Sequence, residues 1–376
     1  MYQFIYPPTV NYNWLYQRPQ QLTAAFAKIG YTSIFYSKQR KQELYHPIPG
    51  CTIAPDNWQA SPHAPDTKVV LWVSHPRTHI TQIKRYRHHI LVFDAIDMPV
   101  GEFSGWQEGY NELAGLADVV FTTAQALYDL NRSLNSQVYM LPNAADFLHF
   151  NTPVDIHPTL NPFKSDNKPI IMYIGAVASW LDWDLLDQVI SACPHYNFIM
   201  IGPLYNIKPT KQLLKPNLYY LGNQDYKDLP GFSQYADVCI NPFLINEMTV
   251  GVDPIKVYEY MATGKPIVST PLPELIKYNE IMHIADTSDA FINAINQSIA
   301  SPTWQRSQRI EIAQEHSWVA RALTAASVLD TIHTGDDYKE YPDPEPEPQP
   351  EPEPTPEPEP EPKIPKPRMQ QNWRRI

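Results

Sequence analysis

The chain has little cysteine. Cys51, Cys193 and Cys239 are scattered through 376 residues, which is neither a disulfide framework nor a zinc-ligand spacing. Cys193 precedes a proline and Cys239 lies inside an apolar stretch, so both read as core residues. An uninterrupted apolar run of about 18 residues is also lacking, and no membrane-spanning helix is expected. The opening MYQFIYPP carries no basic flank and reads as a short strand, not a secretory leader. Together these absences predict a protein made and kept in a reducing cytosol. Positive charge is scarce as well: 29 Lys and Arg stand against 40 Asp and Glu, for a net charge of −11. That balance argues against a basic surface tracking a phosphate backbone, so no nucleic-acid partner is expected. It leaves room for one local cationic pocket that takes a small phosphate ester.

What is present suffices for two ordinary domains with cores of normal size, at 43% apolar residues. From about Gly335 the composition changes. Pro342–Pro362 alternates proline with acid for most of its length. Proline removes backbone donors and neighbouring acids repel, so an extended polyproline II segment is expected, without helix or sheet. A short basic end, KIPKPRMQQNWRRI with Trp373, follows. The tail over 335–376 is therefore predicted to be disordered. It is either a solvated spacer or a stalk whose basic, aromatic tip meets a membrane surface or an anionic protein, at the inner face of the membrane in the first case.

Ahead of the tail, short apolar strands alternate with amphipathic helices. The strand candidates are Gln3–Tyr6, Thr32–Tyr36, Val69–Val73, Ile90–Phe93, Val119–Thr122 and Val138–Leu141. Leu15–Ile29, Tyr110–Ala117 and Gln125–Leu134 show helical periodicity between them. After a polar, proline-containing stretch over Asn151–Lys168 the pattern restarts, with strands at Ile170–Ile174, Phe198–Ile201, Leu218–Leu221, Val238–Asn241 and Ile267–Ser269. Helices are expected at Asp182–Ser191, Pro254–Thr263, Ala290–Ala300 and Trp318–Thr331. Such alternation predicts an α/β protein of two Rossmann-like, doubly wound domains, over 1–155 and 165–332. Ligands of that architecture bind in the cleft at the carboxyl ends of the strands.

The most informative segment is NPFLINEMTVGVDPIKVYEYMATGKPIVST, Asn241–Thr270. It reads as strand, loop, helix, turn and strand. Asp253 is a plausible N-cap, Pro254 a first helical residue and Gly264 the stop. Lys256 and Glu259, three apart, share a face near the helix start. That start attracts phosphate, Lys256 adds a full charge, and Glu259 one turn deeper suits ribose hydroxyls. Spacing alone equally fits an ordinary ion pair on a solvated face.

The segment resembles the nucleotide-sugar signature in the second domain of GT-B glycosyltransferases, through PxKxYEYMAxGKPIVST. Similar resemblance extends to YIGAVASWLDWDLLDQVISACPHYNFIMIGP (Tyr173–Pro203) and LYYLGNQDYKDLPGFSQYADVCINPF (Leu218–Phe243). In the first half WLYQRPQQLTAAFAKIGY (Trp14–Tyr31), FDAIDM (Phe93–Met98) and LPNAADFLHF (Leu141–Phe150) resemble the first domain of the same enzymes. The likeness is greatest to bacterial enzymes of cell-surface polysaccharide synthesis, teichuronic-acid and exopolysaccharide transferases among them, and covers roughly residues 1–332. It implies a nucleotide-sugar co-substrate, UDP- or GDP-linked, a glycan or lipid-linked acceptor, and neither cofactor nor metal. It also implies that Glu259 binds the donor ribose and Lys256 the diphosphate. The loop with Asn246, Thr249, Val250 and Gly251 would wrap phosphates and sugar, Tyr226 and Leu229 would lie near the nucleobase, and Gly175 to Ser179 would face the cleft. The last helix would cross back to brace the first domain.

The sequence also departs from that family. Where many relatives carry an arginine and a lysine after the first strand of the second domain, this chain reads GAVASWLDWD. The first of two glutamates spaced eight apart falls on Gly251, with Glu247 out of register. Candidates for handling the acceptor proton are His75, Asp94 and Asp97, each near a strand end of the first domain. Trp14 and Arg18 follow the first strand and are candidates for acceptor or phosphate contact. Two function classes stay open on this reading: an active transferase, and a non-catalytic carbohydrate-binding or surface-structure protein of the same fold. The missing basic pair suits the second, and the Lys256–Glu259 helix suits the first. An epimerase of the same architecture fits the signature segment less well.

Overall fold

The computed structural model describes residues 1–39, 43–58, 66–79, 82–207, 215–333, 335 and 337–341. The proline–acid stretch and the basic end lie outside the described residues. Residues Met1–Lys339 form one compact unit.

Two parallel sheets organise this unit. The first is built from β1 (Tyr2–Tyr6), β2 (Thr32–Ser37), β3 (Cys51–Pro55), β4 (Lys68–Val73), β5 (Ile90–Ala95), β6 (Val119–Thr122) and β7 (Val138–Met140), in the order β3-β2-β1-β4-β5-β6-β7. The second contains β8 (Ile170–Ile174), β10 (Asn197–Ile201), β12 (Leu218–Tyr220), β13 (Val238–Asn241), β14 (Ile267–Ser269) and β15 (His283–Ile284), ordered β12-β10-β8-β13-β14-β15. A small ladder pairs β9 (Val177–Ala178) with β11 (Leu204–Tyr205). The strands are almost wholly buried, as expected of parallel sheets covered on both faces.

The helices α1 (Arg18–Lys28), α2 (Pro76–His79), α3 (Gln107–Leu116), α4 (Gln125–Arg132), α5 (Phe147–Asn151) and α6 (Asn161–Ser165) accompany or follow the first sheet. Those of the second half are α7 (Trp183–Ala192), α8 (Leu229–Ser233), α9 (Ile255–Thr263), α10 (Pro273–Ile276), α11 (Ser288–Ala300), α12 (Arg306–Glu315) and α13 (Trp318–Leu329). Two cores result. Phe4 stacks on Phe26 at 3.6 Å and Trp72 on Phe121 at 5.2 Å in the first. Trp318, Ala322, Ala325 and Leu329 of α13 belong to that same core, where α13 packs against α1. The final helix thus returns from the second sheet to close the first.

The expected strands are all present, and the sequence reading missed β3, β9, β11 and β15. β3 and β15 are edge strands and β9 and β11 are two residues long, so none offers a buried apolar run long enough to stand out. It also missed the short helices α2, α5, α6, α8 and α10, and α12, whose deeply buried Arg309 replaces an apolar stripe: its guanidinium donates to the carbonyls of Ile281 and Gly264.

Each sheet reverses its strand order once, between β1 and β4 in the first and between β8 and β13 in the second. At such a switch point the loops leave in opposite directions and open a crevice. The loops after β1, β4, β8 and β13 carry many of the residues described next, and those after β5, β7, β10 and β12 carry others.

Candidate active site

A cleft of about 850 Å³ lies between the two sheets, lined from both. Its second-sheet wall is built around the start of α9. Asp253 does not cap this helix. The helix begins at Ile255 behind Pro254, and the Asp253 carboxylate turns away to accept from the Asn143 N–H at 2.6 Å and from the Tyr258 hydroxyl at 2.9 Å. Burial still pushes its pKa up to about 6 against these bonds. Gly264 ends the helix as expected, in the left-handed conformation at φ 71°.

Lys256 and Glu259 both line the cleft. They do not form an exposed surface pair. The Lys256 ammonium sits 4.4 Å from the Phe243 ring centroid and 5.2 Å from that of Tyr173. It has no carboxylate within ion-pair distance among the described residues. It keeps some surface exposure, yet burial lowers its pKa to about 8, partly offset by the charge of Glu259. Glu259 is 7% exposed, and burial raises its pKa to about 8. Lys256 opposes that rise and Asp146 reinforces it.

Gly175 explains how Lys256 fits. With φ at 153°, it lies where a Cβ would stand 2.5 Å from Lys256 Cε and 3.0 Å from the Tyr173 hydroxyl. Gly202, at φ 140°, backs it: a Cβ there would meet the Gly175 carbonyl oxygen at 2.0 Å. Gly175 thus leaves the space the lysine side chain occupies, and Gly202 lets the Gly175 backbone pass close beside β10. Gly175→Ala should displace Lys256, because the added methyl group would stand where the lysine chain now runs. A crystal structure of the variant checks this, and an unmoved Lys256 would separate Gly175 from its placement.

The other second-sheet candidates divide. Tyr226 and Leu229 line the cleft. Tyr226 stacks on His149 at 4.7 Å, lies 4.6 Å from the Tyr16 ring, and accepts from Gln21 Nε2 at 2.6 Å, so it also ties the two walls together. Thr249 lines the cleft, while Asn246, Val250 and Gly251 do not. Asn246 Oδ1 instead accepts from the N–H groups of Met248 and Thr249 and shapes the loop. Gly251 packs so closely on Met98 of the first wall that a Cβ would stand 2.4 Å from Met98 Cγ. Ser179 is exposed, outside the lining, and donates to Glu102.

In the first-sheet wall, Arg18 and Asp94 are bound to each other. Arg18 Nε and Nη2 donate to the two Asp94 oxygens at 2.8 and 2.7 Å, both side chains 2% exposed or less. Arg18 Nη1 donates further to Asn143 Oδ1 at 3.1 Å. Asn143 is the residue that grips Asp253, through its N–H and through Nδ2 on the Asp253 carbonyl at 2.6 Å. A polar chain therefore runs Asp94–Arg18–Asn143–Asp253–Tyr258 across the interface. The proposed roles of Asp94 as a proton acceptor and Arg18 as a phosphate contact meet a structure in which both are held by other partners.

Asp97, His75 and Trp14 line the cleft. Asp97 makes no hydrogen bond to any described residue, and burial pushes its pKa up to about 6. Burial holds the His75 imidazole below its usual pKa, helped by Lys38 and Arg77, and its ring lies 4.5 Å from Trp106. No group of three or more potential metal ligands occurs among the described residues. Nor is any described helix long and apolar enough to cross a membrane. Sequence reasoning missed Gly202, Phe243, Asn143 and Trp106. Gly202 directly follows an apolar strand, a signal that could have been read, whereas the others are placed only by tertiary contact.

Two facing parallel α/β sheets with a cleft at their switch points define the GT-B fold. Solved structures share it: sucrose-phosphate synthase from Thermosynechococcus elongatus aligns with a TM-score of 0.67 at 15% identity, covering 87% of this chain and 98% of that one. Anabaena HepE in complex with UDP and glucose aligns with a TM-score of 0.65 at 14% identity, covering 88% and 99%. Residues 168–301 match the family described as Glycosyl transferases group 1, so the second half carries a group 1 glycosyltransferase domain. A putative teichuronic acid biosynthesis glycosyltransferase, TuaH of Bacillus subtilis strain 168, is 28% identical over 111 residues, 29% of this chain and 28% of that protein's length.

Proposed function

We propose that the protein transfers a sugar from a nucleoside-diphosphate sugar to a hydroxyl group of a glycan or lipid-linked acceptor in cell-surface polysaccharide synthesis. The observation that carries this reading is Lys256: an ammonium without a carboxylate partner, at a helix start, in a space cleared by Gly175. Such a group favours an anion, and the helix start adds partial positive charge. The GT-B likeness and the group 1 domain support a nucleotide sugar as that anion, and the UDP held by HepE favours UDP over GDP. The likeness to TuaH supports the polysaccharide assignment.

In this reading the bond between the anomeric carbon and the diphosphate oxygen breaks and a bond to the acceptor oxygen forms. Negative charge grows on the departing diphosphate, and Lys256 with the start of α9 stabilises it. Glu259, one turn deeper, holds the ribose hydroxyls. Tyr226 and Leu229 lie beside the base, and Thr249 at the phosphates. Asp97 accepts a hydrogen bond from the incoming hydroxyl and takes its proton as the new bond forms. The basic pair missing after β8 is not replaced from elsewhere in the lining. Arg18 is bound to Asp94, and the exposed Lys227 lies 3.8 Å from Asp225, which leaves the task to Lys256.

Binding and turnover of UDP-, GDP- and dTDP-sugars test the proposal, and failure to bind any of them at millimolar concentration would overturn it. Glu259→Ala should weaken UDP binding roughly ten- to a hundredfold, the range of a hydrogen bond involving a charged or strongly polar group. Unchanged affinity in calorimetry would remove the ribose assignment.

The pH dependence follows from the same groups. Asp97 is a carboxylate only above about 6, so activity should fall as pH drops through 6. Lys256 is an ammonium only below about 8, and Glu259 gains a negative charge over the same range. The donor pocket therefore passes from cationic to anionic as pH rises through 8, and activity should fall there too. A bell-shaped profile of kcat/KM is expected, with the acid limb lost in Asp97→Asn. A profile that keeps this limb in the variant would exclude Asp97.

A further inference from the structure

Resting on the transferase reading, the first-sheet wall says what kind of acceptor the cleft takes. Trp14, Phe103 and Trp106 line this wall. Trp14 is 43% exposed, and its ring packs on no other aromatic ring among the described residues. Phe103 and Trp106 are half-buried, with ring centroids 4.4 Å apart, and His75 closes on Trp106 from 4.5 Å. Three large aromatic surfaces thus remain wet at the mouth and wall of the cleft, a costly arrangement unless something covers them.

The charges of the wall are as telling as its rings. Its guanidinium, Arg18, is buried against Asp94 and unavailable. Its histidine, His75, is held toward the neutral form by burial. Lys38 and Arg77, the cations that act on His75, are exposed and do not line the cleft. Against these stands the carboxylate of Asp97 in the lining, which has no hydrogen bond to any described residue. A uronate or phosphate entering here would meet negative charge and no free cation. A hydroxyl would meet an acceptor, and the C–H face of a pyranose ring carries the partial positive charge that suits an aromatic face.

We infer that the acceptor is an uncharged saccharide, seated with a pyranose face on Trp14 and the Trp106 cluster and a hydroxyl on Asp97. The cationic pocket at Lys256 serves the donor, so the two halves of the cleft divide substrates by charge.

Saturation-transfer NMR on the full chain, with the Lys256 pocket filled by saturating UDP, tests this. The neutral probes are the methyl β-glycosides of glucose, galactose and N-acetylglucosamine, and the charged ones methyl β-glucuronide and glucose 6-phosphate. At least one neutral glycoside should bind, and both charged probes should bind at least tenfold more weakly. Trp14→Ala, at an exposed position, should weaken the neutral glycoside about tenfold, the scale of one aromatic contact. Equal or tighter binding of a charged probe overturns the inference, as does failure of every neutral glycoside or wild-type affinity in Trp14→Ala. UDP binding to the wild-type chain, measured on the same samples, reports separately on the transferase reading. Its absence would end that reading, while the ranking of neutral and charged probes would still decide this one.

Discussion

Lys256→Ala is expected to lower kcat/KM for transfer roughly a hundred- to a thousandfold, the range seen when a single charge-stabilising donor is removed from an enclosed site. The size follows from the site's economy of charge. No other unpaired ammonium or guanidinium among the described residues lines the cleft, so no neighbour takes over when Lys256 goes. The variant should fold normally. Its ammonium contacts only aromatic rings and keeps some exposure, and removing a partly desolvated charge leaves no buried carboxylate newly exposed to repulsion except Glu259, which burial already holds toward its neutral form. Lys256→Arg should recover little, because the planar guanidinium cannot occupy the slot that Gly175 clears for a slender chain. Steady-state kinetics with a saturating acceptor checks this, and activity within threefold of wild type in Lys256→Ala would contradict it.

Arg18→Ala should act on stability, not on donor charge. Removing one partner of a buried pair leaves the Asp94 carboxylate uncompensated, at a cost of about 3–5 kcal/mol. The Asn143 side chain loses its donor at the same time, and with it the link to Asp253 and the start of α9. A fall in Tm of roughly 5–10 °C is expected, read by calorimetry. The double variant Arg18→Met with Asp94→Leu should recover much of that loss, since apolar groups of similar volume can replace a buried pair. If Arg18→Ala melted as wild type but failed to bind UDP, Arg18 would be a ligand contact after all.

The contrast between Lys256 and Arg18 marks how far the sequence could be read. Strand–helix alternation was legible because parallel strands are buried on both faces and therefore uniformly apolar, as in IIMYI at Ile170–Ile174 or VVFT at Val119–Thr122. The start of α9 was legible because proline, lysine and the glycine stop sit at fixed helical spacings. Asp253 was misread as a cap because residue type alone favours capping, while its actual partners, Asn143 and Tyr258, include one 110 positions away. Arg18, following the first strand, and Asp94, near the end of another, likewise read as separate candidates. Their pairing is a contact across 76 positions that no local pattern encodes. Asp97, three residues from Asp94, differs from it only in what the fold brings near. Among the described residues Lys256 and Asp97 have no hydrogen-bond or ion-pair partner, and that distinction is tertiary.

On the proposed function Lys256 meets a diphosphate and Glu259 a ribose within one cleft. A crystal structure of the full chain with UDP tests it most directly. The diphosphate is expected within hydrogen-bond reach of Lys256 Nζ beside Gly175, and the ribose hydroxyls on the Glu259 carboxyl. A nucleotide bound elsewhere, or one whose phosphates avoid Lys256, would contradict it.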